Sequence, residues 1–258
     1  MQLATWNINS LNVRLPQVLD WLATNPVDAL GLQELKLVDE KFPFAALREV
    51  GYHAKCFGQK TYNGVAILSR SPLRDVVRNI PGHGDEQSRV IAATLDTSDG
   101  PLRLVNCYFV NGQEPGSEKF TYKLGWLDAL HRWIGEELQA HPRLVLMGDF
   151  NVAPEDRDSF DPVGLKDTIH HTVEERASFQ ALLKLGLTDA YRLFEQPDKS
   201  YSWWDYRMLG FQKNRGLRID HILVSDALRD KVSACTIDRA PRKNPQPSDH
   251  APVVVTLA

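Results

Sequence analysis

Residues Arg143–Asn151 read RLVLMGDFN, and the fold is read outward from them. Leu144–Met147 is an unbroken apolar run. Such a run fits a strand buried on both faces better than the polar–apolar alternation of a half-solvated strand. It stops at Gly148, and Asp149 and Asn151 follow two residues apart, a spacing that puts both side chains on one face of an extended chain. The same design recurs along the sequence. Apolar runs that predict strands are Gln2–Trp6, Ala29–Leu32, Gly64–Ser69, Val90–Leu95, Leu102–Phe109, Arg143–Met147, Arg218–Val224 and Pro252–Leu257. Between them lie helical patterns. Leu15, Val18, Leu19 and Leu22 make one apolar stripe, with Pro16 suited to a first turn. Leu127, Leu130, Ile134 and Leu138 make a longer one. Thr172 and Glu175 have capping-box spacing ahead of Phe179, Leu182 and Leu183, with Gly186 as the stop. Pro43–Val50, closed by Gly51, is a weaker helix. Strands interleaved with helices predict a layered α/β architecture.

The composition removes other classes. The chain has 258 residues, 43% hydrophobic and 24% charged. A globular chain of this length buries about 70–75% of its unfolded surface and folds without staples. No apolar run is long enough for a membrane span. The start, MQLATWNINS, lacks the basic and apolar regions of a signal peptide. Cys56, Cys107 and Cys235 are too few and too scattered for a disulfide framework or a metal knuckle, which fits the cytoplasm. A net charge of −3 is no signature of a nucleic-acid binder, so any such contact must come from local basic patches. No linker divides the sequence, and one domain over 1–258 is expected.

The strand ends carry the chemistry. The first strand runs into Asn7 and Asn9, the second into Gln33 and Glu34. The Leu102 strand reaches Tyr108, with Asn111 just beyond. Asp149 and Asn151 follow the Arg143 strand, Asp220 and His221 interrupt the run Ile219–Val224, and Asp249-His250 precedes the last strand. Loops at strand ends converge while the sheet holds them rigid. Carboxylates are hard oxygen donors that suit Mg²⁺ or Mn²⁺ rather than zinc. An Asp beside an Asn orients a water for attack, and an Asp–His pair steadies an imidazolium facing a phosphate oxygen. Metal, oriented water and cation together describe phosphoester hydrolysis.

Seven motifs, TWNINS, LQELK, YFVNG, GDFN, YSWWDYR, NRGLRIDHIL and PSDHAPV, lie in this order between Thr5 and Val253. Together they resemble the exonuclease III family of the endonuclease/exonuclease/phosphatase superfamily, which also holds deoxyribonuclease I and the inositol polyphosphate phosphatases. YSWWDYR and NRGLRIDHIL are most like its bacterial branch. The resemblance implies a four-layered α/β sandwich: two packed mixed β-sheets flanked by helices on both outer faces. It implies a Mg²⁺-dependent DNA repair nuclease leaving a 3′-hydroxyl, acting as exonuclease, 3′-phosphatase or abasic-site endonuclease. By this resemblance Glu34 is the main metal ligand, helped by Asn7, with Asp249 near the metal or the leaving group. Asp149 orients or deprotonates the attacking water, beside Asn151. Tyr108 contacts the scissile phosphate, and His250, oriented by Asp220, binds it. Asn111 and Lys119 reach phosphate oxygens, and Asn9 lies at the DNA-facing site. Trp203, Leu217 and Ile219 line a pocket for a base-free sugar. The implied partner is double-stranded DNA with abasic sites, nicks or blocked or recessed 3′ ends, bound by a monomer with no membrane association.

Two local features refine this expectation. Arg207, Lys213, Arg215 and Arg218, with Arg239, Arg242 and Lys243, suit a DNA-binding face that weakens with salt. The segment Asp161–Thr172, DPVGLKDTIHHT, places His170-His171 where abasic-site enzymes of the family generally carry small or amide residues. An imidazole there would obstruct a flipped-out abasic sugar and leave a recessed 3′ end accessible. A small-molecule or lipid phosphodiesterase would share the fold but not the YSWWDYR and NRGLRIDHIL stretches. A catalytically silent DNA-binding module would be expected to have lost a carboxylate or the histidine.

Overall fold

The computed structural model describes residues Met1–Ala258. Fourteen strands and five helices follow one another along the chain. They are β1 (Gln2–Asn7), α1 (Leu11–Thr24), β2 (Ala29–Gln33), α2 (Phe44–Glu49), β3 (His53–Phe57), β4 (Val65–Ser69), β5 (Leu73–Arg78), β6 (Val90–Thr97) and β7 (Gly100–Tyr108). Then come α3 (Glu118–Ala140), β8 (Leu144–Asp149), α4 (Val173–Lys184), β9 (Leu187–Asp189), β10 (Trp203–Trp204), β11 (Gly216–Leu217), β12 (Asp220–Ser225), α5 (Asp226–Arg229), β13 (Val232–Ile237) and β14 (Val253–Leu257).

Two six-stranded sheets form, in the orders β13-β14-β1-β2-β4-β3 and β5-β6-β7-β8-β12-β9. Both are mixed: β1–β2 and β7–β8 are parallel, and the other pairs antiparallel. Alternate residues of each central strand face opposite sides. Leu3, Ala29, Ile67, Ala93, Leu104, Val145, Met147, Ile222 and Val255 share the core between the sheets. Ala4, Trp6, Leu30, Leu32, Ala66 and Leu68 face outward onto α1 and α2 through Val18, Trp21, Leu22 and Leu47. Ala92, Val105, Leu144 and Leu146 face outward onto α3 and α4 through Trp126, Leu130, Ile134, Phe179 and Leu182. The result is helix, sheet, sheet, helix, the expected four layers. No helix is long and apolar enough to cross a membrane.

Several local expectations hold. Thr172 caps α4, and its box with Glu175 is complete. Gly186 ends that helix region at φ +99°, and Gly51 takes φ +86° after α2. Pro16 differs: it lies inside α1, not in its first turn. Pro16 and Asn12, whose carbonyl loses its helical donor, are both exposed, so water satisfies that group. The run Arg218–Val224 also divides. Gly216–Leu217 pairs with Trp203–Trp204 in a separate two-stranded ribbon, and β12 starts only at Asp220.

Strand register places the site. Asp149 pairs with both Tyr108 and Asp220 at one end of the second sheet. Asn7 pairs with Gln33 at the matching end of the first. Directly beneath, Gln33 donates to Thr5 Oγ1 (2.8 Å) and Asn106 Oδ1 (2.6 Å), and the Asn106 amide donates to the Leu32 and Ala66 carbonyls (2.9 Å each). These bonds tie the two sheets together under the site. Gly148 takes φ +147°, and a Cβ there would lie 1.9 Å from the Cys107 carbonyl oxygen, so only glycine fits this approach of β7 to β8.

Candidate active site

The ends of β1, β2, β7, β8 and β12 and the loop leading into β14 meet at this mouth. Asn7, fully buried, donates through Nδ2 to Glu34 Oε1 and to Asp149 Oδ2, each at 2.9 Å. One amide thus bridges two carboxylates that would otherwise repel. Ser248 Oγ donates to the Asn7 carbonyl at 2.6 Å and accepts from the His250 backbone N–H at 3.2 Å. The first strand and the Asp249-His250 loop are thereby locked to each other.

His250 is buried between carboxylates. Its Nδ1 lies 2.9 Å from Asp220 Oδ2, and its Nε2 lies 3.7 Å from Asp149 Oδ2. Burial opposes its positive charge, but the charges of Asp220 and Asp149 outweigh burial and raise it to about 10. It is therefore an imidazolium at neutral pH, with Nδ1–H committed to Asp220 and Nε2–H directed into the site. Asp149 is raised to about 7, first by burial, against the pull of His250 and with Asp220 adding repulsion. Burial pushes the Tyr108 phenol well above its usual value, and Glu34 and Asp149 add to the effect, so it stays a donor.

Asp249 stands beside this group. Its two oxygens accept from Asn9 Nδ2 (2.9 Å) and Trp203 Nε1 (3.0 Å). Burial works against its charge, yet His250, Asn9 and Trp203 hold it below the usual carboxylate range. Glu34, Asp149 and His250 offer ligand atoms within 4.8 Å of one another. A cationic His250 repels a metal, which leaves the oxygens of Glu34 and Asp149 as the fitting donors; Asn7 turns its Nδ2 to both carboxylates and its Oδ1 to the Asn9 N–H (3.0 Å), so it holds the ligands in place. An all-oxygen set suits a hard divalent cation.

Asn151 is held at every polar group. Its N–H donates to Asp149 Oδ1 (2.9 Å), its Nδ2 to the Phe109 carbonyl (3.0 Å), and its Oδ1 accepts from Asn111 Nδ2 (3.2 Å). Asn9, Glu34, Asn151 and His170 all have positive φ, between 44° and 70°. Non-glycine residues in this region keep it only where the surrounding structure imposes it, and here the hydrogen bonds of the site do so. Lys119 is exposed in the first turn of α3.

A cavity of about 770 Å³ opens alongside, lined by Trp203, Leu217, Phe160, Met208, His170 and Arg215 among others. Ile219 lies beneath it, packed with Leu217. His170 Nδ1 is 2.7 Å from the Asn151 carbonyl, so that nitrogen carries the proton. Burial and the nearby Lys123 charge lower His170 to about 3, and the ring is neutral. His171 is buried, 3.0 Å from Ser159 Oγ.

The basic face needs correcting. Arg218 is 1% exposed and bonds Asp158 (2.6 Å) and Asp189 (2.8 Å). It also donates to His221 Nδ1 at 3.0 Å, so His221 donates through Nε2 to the Val152 carbonyl. Arg242 is 6% exposed, packed on the rings of Phe211, Tyr206 and Trp204 and bonded to the Ser248 carbonyl. These two arginines are internal struts, while Arg207, Lys213, Arg215, Arg239 and Lys243 are exposed. Arg218→Met is expected to cost about 3 kcal/mol or more in denaturant unfolding, because it strands Asp189 and half-strands Asp158 in the interior. A change below about 1 kcal/mol would contradict the strut.

Sequence reasoning passed over four residues. Lys36 bridges Glu34 Oε2 (2.8 Å) and Asn9 Oδ1 (2.6 Å). Arg89 packs over the Tyr108 ring at 5.1 Å. Ser248 clamps Asn7, as above. Lys123 reaches the Asn151 carbonyl at 2.8 Å. Lys36 sits inside LQELK and Ser248 inside PSDHAPV, so proximity to motifs was a usable signal. Lys123 lies on the stripe of Leu127, Leu130 and Ile134, where a lysine is out of place.

The model of the endonuclease/exonuclease/phosphatase family matches residues 4–250. Exodeoxyribonuclease III of Haemophilus influenzae is 36% identical, over 98% of each chain. The DNA repair nuclease APEX1 of Danio rerio is 31% identical over the whole of this chain and 82% of its own. The 3′ phosphatase NExo from Neisseria, solved with a product DNA hairpin, superposes with a TM-score of 0.97 at 49% identity, covering 100% of this chain and 99% of that one. An AP endonuclease from Archaeoglobus fulgidus superposes with a TM-score of 0.94 at 34% identity, covering 100% and 99%.

Proposed function

Because this chain belongs to the endonuclease/exonuclease/phosphatase family, we propose that it is a DNA repair nuclease whose first task is at 3′ ends of duplex DNA. It works as a monomeric, single-domain enzyme of the cytoplasm. The observation that carries this reading is the Asp149–His250 pair, a carboxylate and an imidazolium held 3.7 Å apart with Asp220 behind the ring.

Asp149 accepts a proton from a water that attacks phosphorus, while the Asn151 N–H keeps the carboxylate turned toward it. His250 Nε2–H and the Tyr108 phenol stabilise the charge that grows on the non-bridging oxygens. The phosphorus–O3′ bond breaks and the departing oxygen takes a proton from solvent, leaving a 3′-hydroxyl and releasing either a 5′-nucleotide or, from a 3′-phosphate end, inorganic phosphate. Glu34, steadied by the Asn7 amide and with Asp249 close by, would hold Mg²⁺ or Mn²⁺, which would neutralise phosphate and leaving-group charge. Lys119, Asn111 and Asn9 sit where the DNA backbone passes, and Trp203, Leu217 and Ile219 shape the sugar pocket.

His170 sets the preference for ends. Its neutral ring is pinned by the Asn151 carbonyl at the wall of the Trp203 pocket, where it shortens the space for a flipped-out sugar. Nicks and recessed or phosphate-blocked 3′ ends enter without flipping. With Mg²⁺, the wild type is expected to process a recessed 3′ end at least about tenfold faster than an internal abasic-site analogue. His170→Gly is expected to raise abasic incision relative to 3′-end processing by about tenfold, the scale of removing one steric clash of about 1.4 kcal/mol. Equal rates on both duplexes in the wild type, or no gain from His170→Gly, would refute the preference.

A further inference from the structure

A lysine buried to 0% exposure lies two layers of residues behind the nucleophile-activating carboxylate, and the catalytic scheme above leaves it without a task. Lys123 projects from α3 with its stem beside Gly112, whose φ of +87° and missing Cβ make room for it. Its ammonium donates to three acceptors: the Asn151 carbonyl (2.8 Å), the Asn111 carbonyl (3.1 Å) and Glu175 Oε1. Glu175 is equally buried. Its other oxygen accepts from the Thr172 N–H (3.1 Å) and hydroxyl (2.8 Å), so the counter-ion is itself fixed by the cap of α4.

The Asn151 peptide is the hub. Its carbonyl accepts from both Lys123 and His170, and its own N–H holds Asp149 Oδ1. Asn151 is left-handed at φ +50°, a conformation that a non-glycine residue keeps where the surroundings impose it. A buried cation on the carbonyl is a strong means of imposing it, since charge-assisted bonds are roughly twice as strong as neutral ones. The same ammonium holds the Asn111 carbonyl, and Asn111 donates to the Asn151 side chain.

We propose that Lys123 is a positioning residue: its buried ammonium clamps the Asn111 and Asn151 carbonyls and so fixes the turn that aims Asp149. Glu175 serves as its counter-ion and links the aim of the carboxylate to the start of α4. This rests on the reading of Asp149 as the group that acts on the attacking water.

The test separates aim from stability. In Lys123→Met, kcat is expected to fall roughly 100-fold, the cost of misplacing a catalytic group by about 1 Å, with KM little changed. The melting temperature also falls, because Glu175 is left as an unpaired buried charge. The double variant Lys123→Met with Glu175→Gln removes that charge and keeps an acceptor for the Thr172 cap. Its melting temperature is expected to recover toward wild type while kcat stays low. Recovery of kcat along with the melting temperature would overturn the proposal, and so would a single variant with wild-type kcat. The double variant is read by itself if the single one does not fold. Asp149→Asn is assayed in parallel: its inactivity beside a fully active Lys123→Met defeats the positioning role alone, whereas its full activity defeats the Asp149 reading.

Discussion

Asp149→Asn is expected to lower hydrolysis by about 10³-fold or more and leave duplex affinity nearly unchanged. Three observations lead there. The carboxylate is buried at the end of β8, within 2.9 Å of the Asn7 amide and 3.7 Å from the His250 ring. Burial raises it to about 7, so near neutrality it is a base that both takes and returns a proton readily. Asparagine has nearly the same shape and keeps an acceptor for the Asn151 N–H, so the fold and the DNA-facing surface survive. What is lost is proton acceptance and one of the charges, after that of Asp220, that keep His250 cationic. Electrophoretic-shift or anisotropy binding with a 3′-recessed duplex, beside a single-turnover assay, separates the two effects. A variant that turns over at the wild-type rate would remove Asp149 from the role assigned to it.

Asp220→Asn is expected to cost roughly 10²-fold in kcat at pH 8 and to move the alkaline limb of the pH profile downward. In the wild type, two limbs follow from the geometry. The rate rises as pH passes about 7 and Asp149 ionises, and falls near 10 as His250 loses its proton. Asp220 is the largest source of the imidazolium's stability, 2.9 Å from Nδ1. An amide there keeps a hydrogen-bond partner and removes the charge, so the ring deprotonates at lower pH and its Nε2 no longer stabilises a phosphate oxygen. The variant's residual activity should therefore be greatest at lower pH than that of the wild type. A profile with an unmoved alkaline limb would show that His250 does not act as a cation.

The parts of the fold legible in the sequence were those with a continuous apolar signature. β1, β2, β4, β6, β7, β8 and β12 are buried on both faces over most of their length, β14 on one, and each carries an apolar stretch in the sequence. Of the strands that the sequence does not announce, β10 and β11 are two-residue pieces of the separate ribbon, and β3, β5, β9 and β13 are the four edges of the two large sheets. They are short or mostly exposed, with charges such as Lys55, Arg74 and Asp75 where solvent reaches them, so no hydrophobic period betrays them. The site residues stood out because polar groups interrupting an apolar strand are conspicuous. Their support did not. Lys123 meets Glu175, and Arg218 meets Asp158 and Asp189, across long stretches of chain, and residue type alone does not tell a buried cation from a DNA-facing one. Arg218 and Arg242 were misjudged for that reason. His170 and His171 both line the cavity beside Trp203, yet one is held by the Asn151 carbonyl and the other by Ser159, a distinction that adjacency in sequence does not reveal.

The most direct test of the whole account uses the purified chain, a 5′-end-labelled duplex with a recessed 3′ end, and either Mg²⁺ or EDTA. The account predicts stepwise shortening from the 3′ side in Mg²⁺, products that a polymerase extends because they end in a 3′-hydroxyl, and no change in EDTA. An intact duplex in Mg²⁺, or equal shortening in EDTA, would contradict it.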